Sequence, residues 1–409
     1  MTTTRVDPVE RLAARFDHHD PEFTPDVARE VHTRIRDNSV IAYSAAHGGM
    51  WIFSHYRHVK TAMKDHRTFS NGSGVFFPRA PGTPRFAPLD FDQPEHTTYR
   101  TLMKPPFAHQ QVPRLTRRVA EITAELVQPI VARGHGDFAV ELATPLTLRA
   151  IAMAVGLTDG AQRQIRALTS NLWEHLPKDR DPGKFWPQFA AMLSAEVTRA
   201  RERPGDDYLS RLVRRSFDGH PITDDELHSI LVAYCIGGHQ SSMNTISHML
   251  CHFARTPRIQ DTLKAEPSLI PAAVDEAMRL WTPNDHLTRV TTREVTLDGV
   301  TIPAGARIML LIGAANRDPD VFGEPEEFRL DRELGVHLEF GFGIHFCIGA
   351  PLAKIEFAAV LHELTRHGQY QLDGDQERPE LGEGAVEREL DEVHRQLNAR
   401  QLLAKAPVE

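Results

Sequence analysis

The sequence predicts a mainly α-helical protein with small β-sheets. The central part of the chain carries a largely apolar stretch from residue 224 to about residue 253 with no proline inside it, which is typical of a buried helix. Strand signals are short and lie near both ends of the chain. No internal repeat or low-complexity linker interrupts this pattern. Helices are therefore expected to build the core, and the sheets to be minor.

Composition excludes several classes of protein. The 409 residues contain 47 Lys and Arg against 55 Asp and Glu, a net charge of −8. This balance argues against a nucleic-acid partner or an anionic membrane surface. Hydrophobic residues make up 41% and charged residues 25%, as in ordinary globular proteins. The three cysteines, Cys235, Cys251 and Cys347, are too few for a disulfide framework.

The start of the chain predicts a cytoplasmic location. Residues 1–37 are rich in charges and lack the apolar core of a signal peptide. The longest apolar runs, such as residues 308–312, are far shorter than the ~20 residues that span a bilayer. We therefore expect no association with a membrane.

The N-terminal third combines a hairpin, a loop and a helix start. Residues 40–43 and 50–53 flank Gly48 and Gly49 and predict a hairpin. Residues 71–90 hold four prolines and three glycines among phenylalanines, which is typical of a long functional loop. A helix is expected to begin near Pro94.

Two further signals place elements in the rest of the chain. Thr223 and Glu226 form a capping-box pattern, so the long central helix is expected to begin there. Residues 294–302 alternate polar and apolar around Asp298 and Gly299, which predicts a second hairpin.

The strongest chemical signal is the segment FGFGIHFCIG at residues 340–349. Its glycines permit tight turns and close backbone approach, and a helix is predicted from about residue 352. Backbone N–H groups and the helix dipole favour a thiolate at Cys347. A free cysteine is more often a small buried hydrophobe. Here several positional requirements are met together, which favours a metal ligand beneath a planar cofactor.

This segment resembles the heme-binding loop of cytochromes P450. The family pattern places Phe, Gly, a basic residue, Cys and Gly at positions filled by Phe340, Gly343, His345, Cys347 and Gly349. The resemblance implies one heme domain over residues 1–409. In that fold, heme b lies between a long central helix and the cysteine loop, and Cys347 is the axial thiolate ligand of the iron. A thiolate pushes electron density onto iron.

A second family pattern lies upstream. Glu276 and Arg279 are three residues apart, so they share one helix face. Such a pair is usually a solvated surface pair of little energetic consequence. In this order before the cysteine loop it resembles the family's Glu-x-x-Arg motif, which implies a buried network with Arg332 that holds the heme-side core.

The resemblance also implies which residues bind the heme propionates. Two carboxylates require cationic or hydrogen-bonding partners. Four residues match family positions: His96, Arg100, Arg289 and His345.

The distal side departs from the family. Where the family carries a small residue, Gly, an acid and Thr, this chain has Gly237, Gly238, Gln240 and Ser241. The two glycines allow a groove for O2, and the Ser241 hydroxyl can donate and accept as threonine does. Gln240 cannot exchange a proton near neutral pH. His239 titrates in that range, so it either substitutes for the acid or packs away from the channel.

The resemblance implies partners and contact regions. It predicts a monomer that uses O2 and takes electrons from a ferredoxin or flavodoxin with its NAD(P)H-dependent reductase. Such partners are acidic, so a basic docking face is expected. Its candidates are Lys104, Arg114, Arg117, Arg118 and Lys354. Candidate substrate contacts are Phe76, Phe77, Phe86, Trp173, Phe185, Trp186, Ile236, residues 284–287, and Leu397 or Asn398.

The sequence is compatible with three functions. The first is a heme-thiolate monooxygenase that hydroxylates, dealkylates or epoxidises a small, apolar or aromatic organic substrate. The second is oxidative C–C or C–heteroatom coupling of aromatic substrates, which the replacement of the distal acid by Gln240 favours. The third is a heme protein that binds a ligand without turnover.

Overall fold

The computed structural model describes residues 7–77, 79, 83–179 and 185–372, with side chains except at residues 25, 26 and 170–179. The side chain of Trp173, and both Leu397 and Asn398, therefore lie outside the described part of the chain. Helices dominate the described residues, as expected. They are α1 Pro8–Ala14, α2 Pro25–Asn38, α3 Tyr56–Lys64, α4 Glu95–Met103, α5 Val112–Arg133, α6 Thr144–Val155, α7 Asp159–Asp179, α8 Phe185–Glu202, α9 Tyr208–Leu212, α10 Asp224–Gly237, α11 Gln240–Arg255, α12 Pro257–Ala265, α13 Ile270–Leu280, α14 Ile312–Ala315 and α15 Ala350–His367.

The strands are short and form one larger sheet and two hairpins. The five-stranded sheet has the order β1-β2-β9-β6-β3, in which β2 and β9 are parallel and the other pairs antiparallel. The pairs β4-β5 and β7-β8 stand apart. The strands are β1 Ala42–Ser44, β2 Met50–Phe53, β3 Phe69–Ser70, β4 Ser216–Phe217, β5 His220–Pro221, β6 His286–Thr291, β7 Val295–Leu297, β8 Val300–Ile302 and β9 Arg307–Leu311.

Both predicted hairpins are confirmed. Strands β1 and β2 pair with Ala42 opposite Ile52. Strands β7 and β8 pair around Asp298 and Gly299, which have φ values of 45° and 80°. Positive φ at both central residues is the requirement of the hairpin turn that Asp-Gly favours.

Strand β9 shows how the sheet divides two apolar cores. Ile308 and Leu310 pack in one cluster with α3, whereas Met309 and Leu311 pack on the opposite face with α1 and α2. This alternation is the ordinary consequence of the two-residue period of a strand. A third and larger cluster joins the helices, among them α5, α6, α10, α11 and α15.

The central apolar stretch is two helices and not one. The capping box at Thr223 and Glu226 opens α10 as predicted. That helix ends at Gly237, and α11 begins at Gln240. His239 between them has non-helical backbone angles, with φ −120° and ψ −60°. The single helix of about thirty residues expected from the sequence is therefore interrupted at the Gly237-Gly238 pair.

None of the helices in the described ranges combines the length and apolar character needed to cross a lipid bilayer.

Candidate functional site

Backbone hydrogen bonds fold the cysteine loop back on itself. The Cys347 N–H donates to the Phe340 carbonyl at 2.7 Å. Gly343 has φ of 74°, and a Cβ there would lie 2.9 Å from the Met63 carbonyl oxygen at the end of α3. Only glycine meets both demands without strain. The loop thus places Cys347 just before α15, with Gly343 against the end of α3.

Opposing effects act on the Cys347 thiol. Its side chain is exposed on one side, unlike the buried Cys235 and Cys251. Enclosure by the rest of the protein raises its pKa above the usual value, while the backbone N–H groups of Gly349 and Ala350 act to lower it. The N–H donors predicted from the sequence are present, but desolvation outweighs them. A metal ion bound to the sulfur would favour the thiolate form.

The four predicted propionate ligands lie together beside this loop. The rings of His96 and His345 are 4.4 Å apart. Burial lowers the pKa of His345 to about 2, and the charges of Arg289, His96 and Arg100 add to the effect. Arg100 donates to the Phe346 carbonyl at 2.7 Å, one residue before Cys347. The fold thus gathers two guanidinium groups and two imidazoles at one place.

The polar atoms of this cluster fit a dianionic group. Both ring nitrogens of His345 are buried and lack a hydrogen-bond partner. Neither ring nitrogen of His96 reaches hydrogen-bond geometry, although the Ile344 carbonyl lies near enough to favour its protonated form. Buried polar atoms without partners are costly, and the propionates of a heme would supply acceptors here. The residues present therefore fit this cofactor.

The predicted network behind the loop is confirmed. Arg279 donates to both carboxylate oxygens of Glu276 at 2.8 Å, and Arg332 donates to the same carboxylate at 2.9 Å. Glu276 and Arg279 are 3% and 2% exposed, so this is a buried network and not a surface pair. Arg332 also donates to the carbonyls of Gly323 and Glu324.

Comparison with known proteins agrees with this geometry. The family model for cytochrome P450 matches residues 188–390. The chain is 31% identical over 324 residues to a steroid C26-monooxygenase of Mycobacterium tuberculosis, an alignment covering 78% of this chain and 86% of the relative. The chain belongs to the cytochrome P450 family.

Other P450 relatives support the same assignment. The 6-deoxyerythronolide B hydroxylase of Saccharopolyspora erythraea is 32% identical over 329 residues, covering 77% of this chain and 81% of the relative. Among solved structures, a mutant of P450 EryK in complex with erythromycin B superposes with a TM-score of 0.80 at 26% identity, covering 93% of this chain and 98% of that one. This P450 is therefore an oxidoreductase whose cofactor is heme with a cysteine thiolate ligand, and the ligand-binding protein without turnover is set aside.

On the distal side of this P450, the two glycines differ in their surroundings. A Cβ at Gly238 would lie 2.6 Å from the Tyr234 carbonyl oxygen and 2.7 Å from two side-chain carbons of Ile151. A Cβ at Gly237 would meet nothing within 4 Å. Gly238 therefore lets the break approach α6, whereas Gly237 borders open space. The Ser241 hydroxyl donates to the Gly237 carbonyl at 3.2 Å across the break.

The structure shows that His239 packs against α6 instead of replacing the missing distal acid. His239 is 4% exposed, and its Nδ1 lies 2.7 Å from the Thr147 hydroxyl on α6. Burial lowers the pKa of His239 to about 3, so its imidazole is neutral at physiological pH. Gln240 keeps a buried side-chain oxygen without a hydrogen-bond partner.

The sequence reasoning missed a buried carboxyl near this break. Glu356 on α15 is fully buried, and burial raises its pKa from 4.5 to about 8, with Ser242 of α11 acting in the opposite direction. Neither of its oxygens meets hydrogen-bond criteria in the described structure. The available signal was a glutamate nine residues after Cys347, among Leu352, Phe357 and Val360 on the buried face of α15.

Several predicted substrate contacts form one aromatic wall. Phe76 lies 6.2 Å from Phe86, and Phe86 lies 6.0 Å from Trp186, measured between ring centroids. Trp186 in turn packs on Phe185 at 4.6 Å. A cavity of about 600 Å³ borders this wall, between α4, α8 and α10, and is lined in part by Trp186 and Phe189.

Other predicted substrate contacts lie elsewhere. Phe77 packs under the Arg307 guanidinium, 3.6 Å from the ring centroid, and not on the aromatic wall. Asp285 lies 3.1 Å from His32 on α2, and its backbone carbonyl accepts from Ile312 and Gly313. These contacts give Asp285 a structural role.

The predicted docking residues differ in whether their charges are paired with carboxylates. Lys104 and Arg114 are exposed. Lys354 instead lies 3.1 Å from the Asp275 carboxylate, and Arg118 pairs with Glu121. The basic character of this face is therefore partly neutralised.

Proposed function

We propose that this P450 is a monooxygenase that inserts one oxygen atom from O2 into a small, apolar or aromatic organic substrate. One observation carries the proposal. The loop that presents Cys347 lies directly beside a cluster of two guanidinium groups and two imidazoles, and both ring nitrogens of His345 lack a hydrogen-bond partner there. A heme requires both features, a thiol for its iron and cationic groups for its two propionates.

We assign the residues as follows. Cys347 would hold the iron, and Arg100, Arg289, His96 and His345 would bind the propionates. A heme with a thiolate ligand supplies activation of O2. One oxygen atom enters the product and the other leaves as water, with two electrons and two protons consumed. Residues 1–409 would form one heme domain.

The distal residues would position O2 and protons. Gly237 provides room at the break, and the Ser241 hydroxyl can turn from the Gly237 carbonyl to hydrogen-bond a water. Gln240 can hold that water through its unpartnered oxygen. Because His239 is neutral and bound to Thr147, we assign it a packing role.

The aromatic wall supports an apolar or aromatic substrate. Trp186 of this wall lines a cavity of about 600 Å³ together with Phe91 and Phe189, and such cavities bind organic molecules mainly through apolar contact. The steroid C26-monooxygenase and the 6-deoxyerythronolide B hydroxylase named above oxidise different compounds, so the comparison favours the reaction class and not one substrate.

We further propose that electrons come from a ferredoxin or flavodoxin with its NAD(P)H-dependent reductase. Exposed Lys104 and Arg114 provide positive charge for an acidic partner. We expect the protein to act as a monomer in the cytoplasm, a prediction that rests on the sequence.

Product analysis under isotopically labelled O2 tests this function. The holoprotein is supplied with a surrogate ferredoxin, its reductase and NADPH, and with substrates selected by their binding-induced spectral shift. The proposal predicts one labelled oxygen atom per product molecule. Turnover that yields only unlabelled product would overturn oxygen insertion.

Oxidative coupling of aromatic substrates is the second candidate. It is favoured by the distal break, where Gln240 replaces the acid and His239 is neutral. Coupling joins two substrate carbons, or a carbon and a heteroatom, with loss of two hydrogens. With two electrons and two protons, O2 takes these hydrogens up as two molecules of water, and no oxygen enters the product. The same labelled experiment distinguishes the two functions, because a coupled product carries no label.

A further inference from the structure

A cluster of imidazoles and a carboxylate lies outside the heme site. Asp17 and His18 precede α2, and His47 lies in the turn between β1 and β2. One ligand atom from each of these three residues lies within 4.8 Å of the others. None of the heme-site residues described above belongs to this cluster, so it requires its own explanation.

His18 is held in the form that a metal ion binds. Its Nε2 lies 2.7 Å from the Phe77 carbonyl oxygen. A carbonyl can only accept, so Nε2 carries the proton and Nδ1 carries the lone pair. That Nδ1 is buried and has no hydrogen-bond partner. Histidines that bind metals almost always donate their other ring N–H to a carbonyl or carboxylate, and His18 has this arrangement.

The spacing of the other groups suits one ion. The rings of His18 and His47 are 5.7 Å apart, against about 5 Å for two imidazoles on a tetrahedral zinc with Zn–N bonds of about 2 Å. The Asp17 carboxylate accepts a hydrogen bond from His47 Nε2 at 2.7 Å, a contact that an ion bound by both residues would replace. The ring of exposed His19 lies 5.4 Å from that of His47.

We propose that Asp17, His18 and His47 bind one divalent transition-metal ion of the zinc type. The ion would link the segment before α2 to the turn between β1 and β2. Through the hydrogen bond of His18 it would also link both to the chain at Phe77. Since these elements come from separate parts of the sequence, binding would stabilise the native state by mass action.

Calorimetric titration of the metal-free holoprotein with Zn²⁺ tests the proposal. We expect one saturable site, with affinity reduced at least about tenfold in both Asp17→Asn and His47→Ala. Asp17→Asn keeps the shape of the side chain, and His47 is exposed, so both variants should fold. The matched control is His109→Ala, which removes an exposed imidazole elsewhere and should leave the affinity unchanged.

A thermal scan supplies a second readout. Zn²⁺ should raise the unfolding midpoint of the wild type and of His109→Ala, and should not raise it in the two cluster variants. Absence of saturable binding would overturn the proposal. So would equal affinity in wild type and both cluster variants, because binding would then reside on scattered surface histidines. The heme absorbance of each variant without metal confirms its fold, independently of monooxygenase activity.

Discussion

Neither ring nitrogen of His345 has a hydrogen-bond partner in the described chain, although both nitrogens are buried beside positive groups. Buried ring nitrogens without partners destabilise a protein that has nothing bound beside them. A bound anion would accept a hydrogen bond from His345, so this arrangement indicates an anion site. The sequence supplied the residue through the spacing between His345 and Cys347. It could not supply the contact with His96, because that depends on how α4 packs against the loop.

The burial of Glu356 could not be predicted from the sequence. Its burial follows from the packing of α15 against α11 and neighbouring helices, which one helix's sequence does not determine. A pKa of about 8 in the native state, against 4.5 for an exposed glutamate, means that folding takes up a proton between those values. The contribution of Glu356 to the free energy of unfolding is therefore fully present below pH 4.5. It is lost as the pH rises through 8.

Replacing Glu356 by Gln should remove this pH dependence. Above pH 8 the variant should be the more stable protein, since each pH unit costs the wild type up to about 1.4 kcal/mol between the two pKa values. The thermal midpoints of the holoproteins, measured below and above pH 8, provide the test. The exposed Glu202→Gln serves as the control and should follow the wild type. Parallel profiles for Glu356→Gln and wild type would contradict the assignment.

At the scale of elements, the break between α10 and α11 was only partly predictable. The capping box fixed where α10 begins, and the glycine pair indicated a weak point. The sequence could not separate the roles of the two glycines, since only the packing of α6 places Ile151 against Gly238.

The two glycines provide a matched pair of variants. Gly238→Ala would force a Cβ to 2.6 Å from the Tyr234 carbonyl oxygen and should destabilise the protein by about 1–3 kcal/mol. Gly237→Ala adds the same methyl group where nothing lies within 4 Å and should leave stability close to that of the wild type. The thermal unfolding midpoints of the two variants test this difference in stability. Equal midpoints would contradict the close approach of Gly238 to α6.

The network of Glu276, Arg279 and Arg332 connects α13 to the chain before the cysteine loop. Removing Arg332 takes one charged donor from the buried Glu276 carboxylate, which costs about 1–3 kcal/mol, while Arg279 stays paired with both carboxylate oxygens. We therefore expect Arg332→Ala to lower the thermal midpoint strongly and to reduce heme retention. The control is Arg329→Ala, nearby in sequence, whose side chain pairs with Asp331 at the surface. An effect of Arg332→Ala no larger than that of Arg329→Ala would show that the network is dispensable.

At the scale of the whole molecule, a net charge of −8 coexists with the exposed cations Lys104 and Arg114. If an acidic redox partner docks there, reversing both charges should slow the first electron transfer on the order of tenfold at low salt. The difference should shrink as ionic strength rises. Stopped-flow reduction by a ferredoxin measures this, with exposed Lys264→Glu as the control. Equal rates for the double variant and wild type would place docking elsewhere.

The central claim is that Cys347 is the thiolate ligand of a heme. The absorption spectrum of the dithionite-reduced holoprotein under carbon monoxide tests it most directly. We predict a strongly red-shifted Soret band in the wild type, lost in Cys347→Ser. An unshifted band in folded wild-type protein, or a shifted band that survives in Cys347→Ser, would contradict the account.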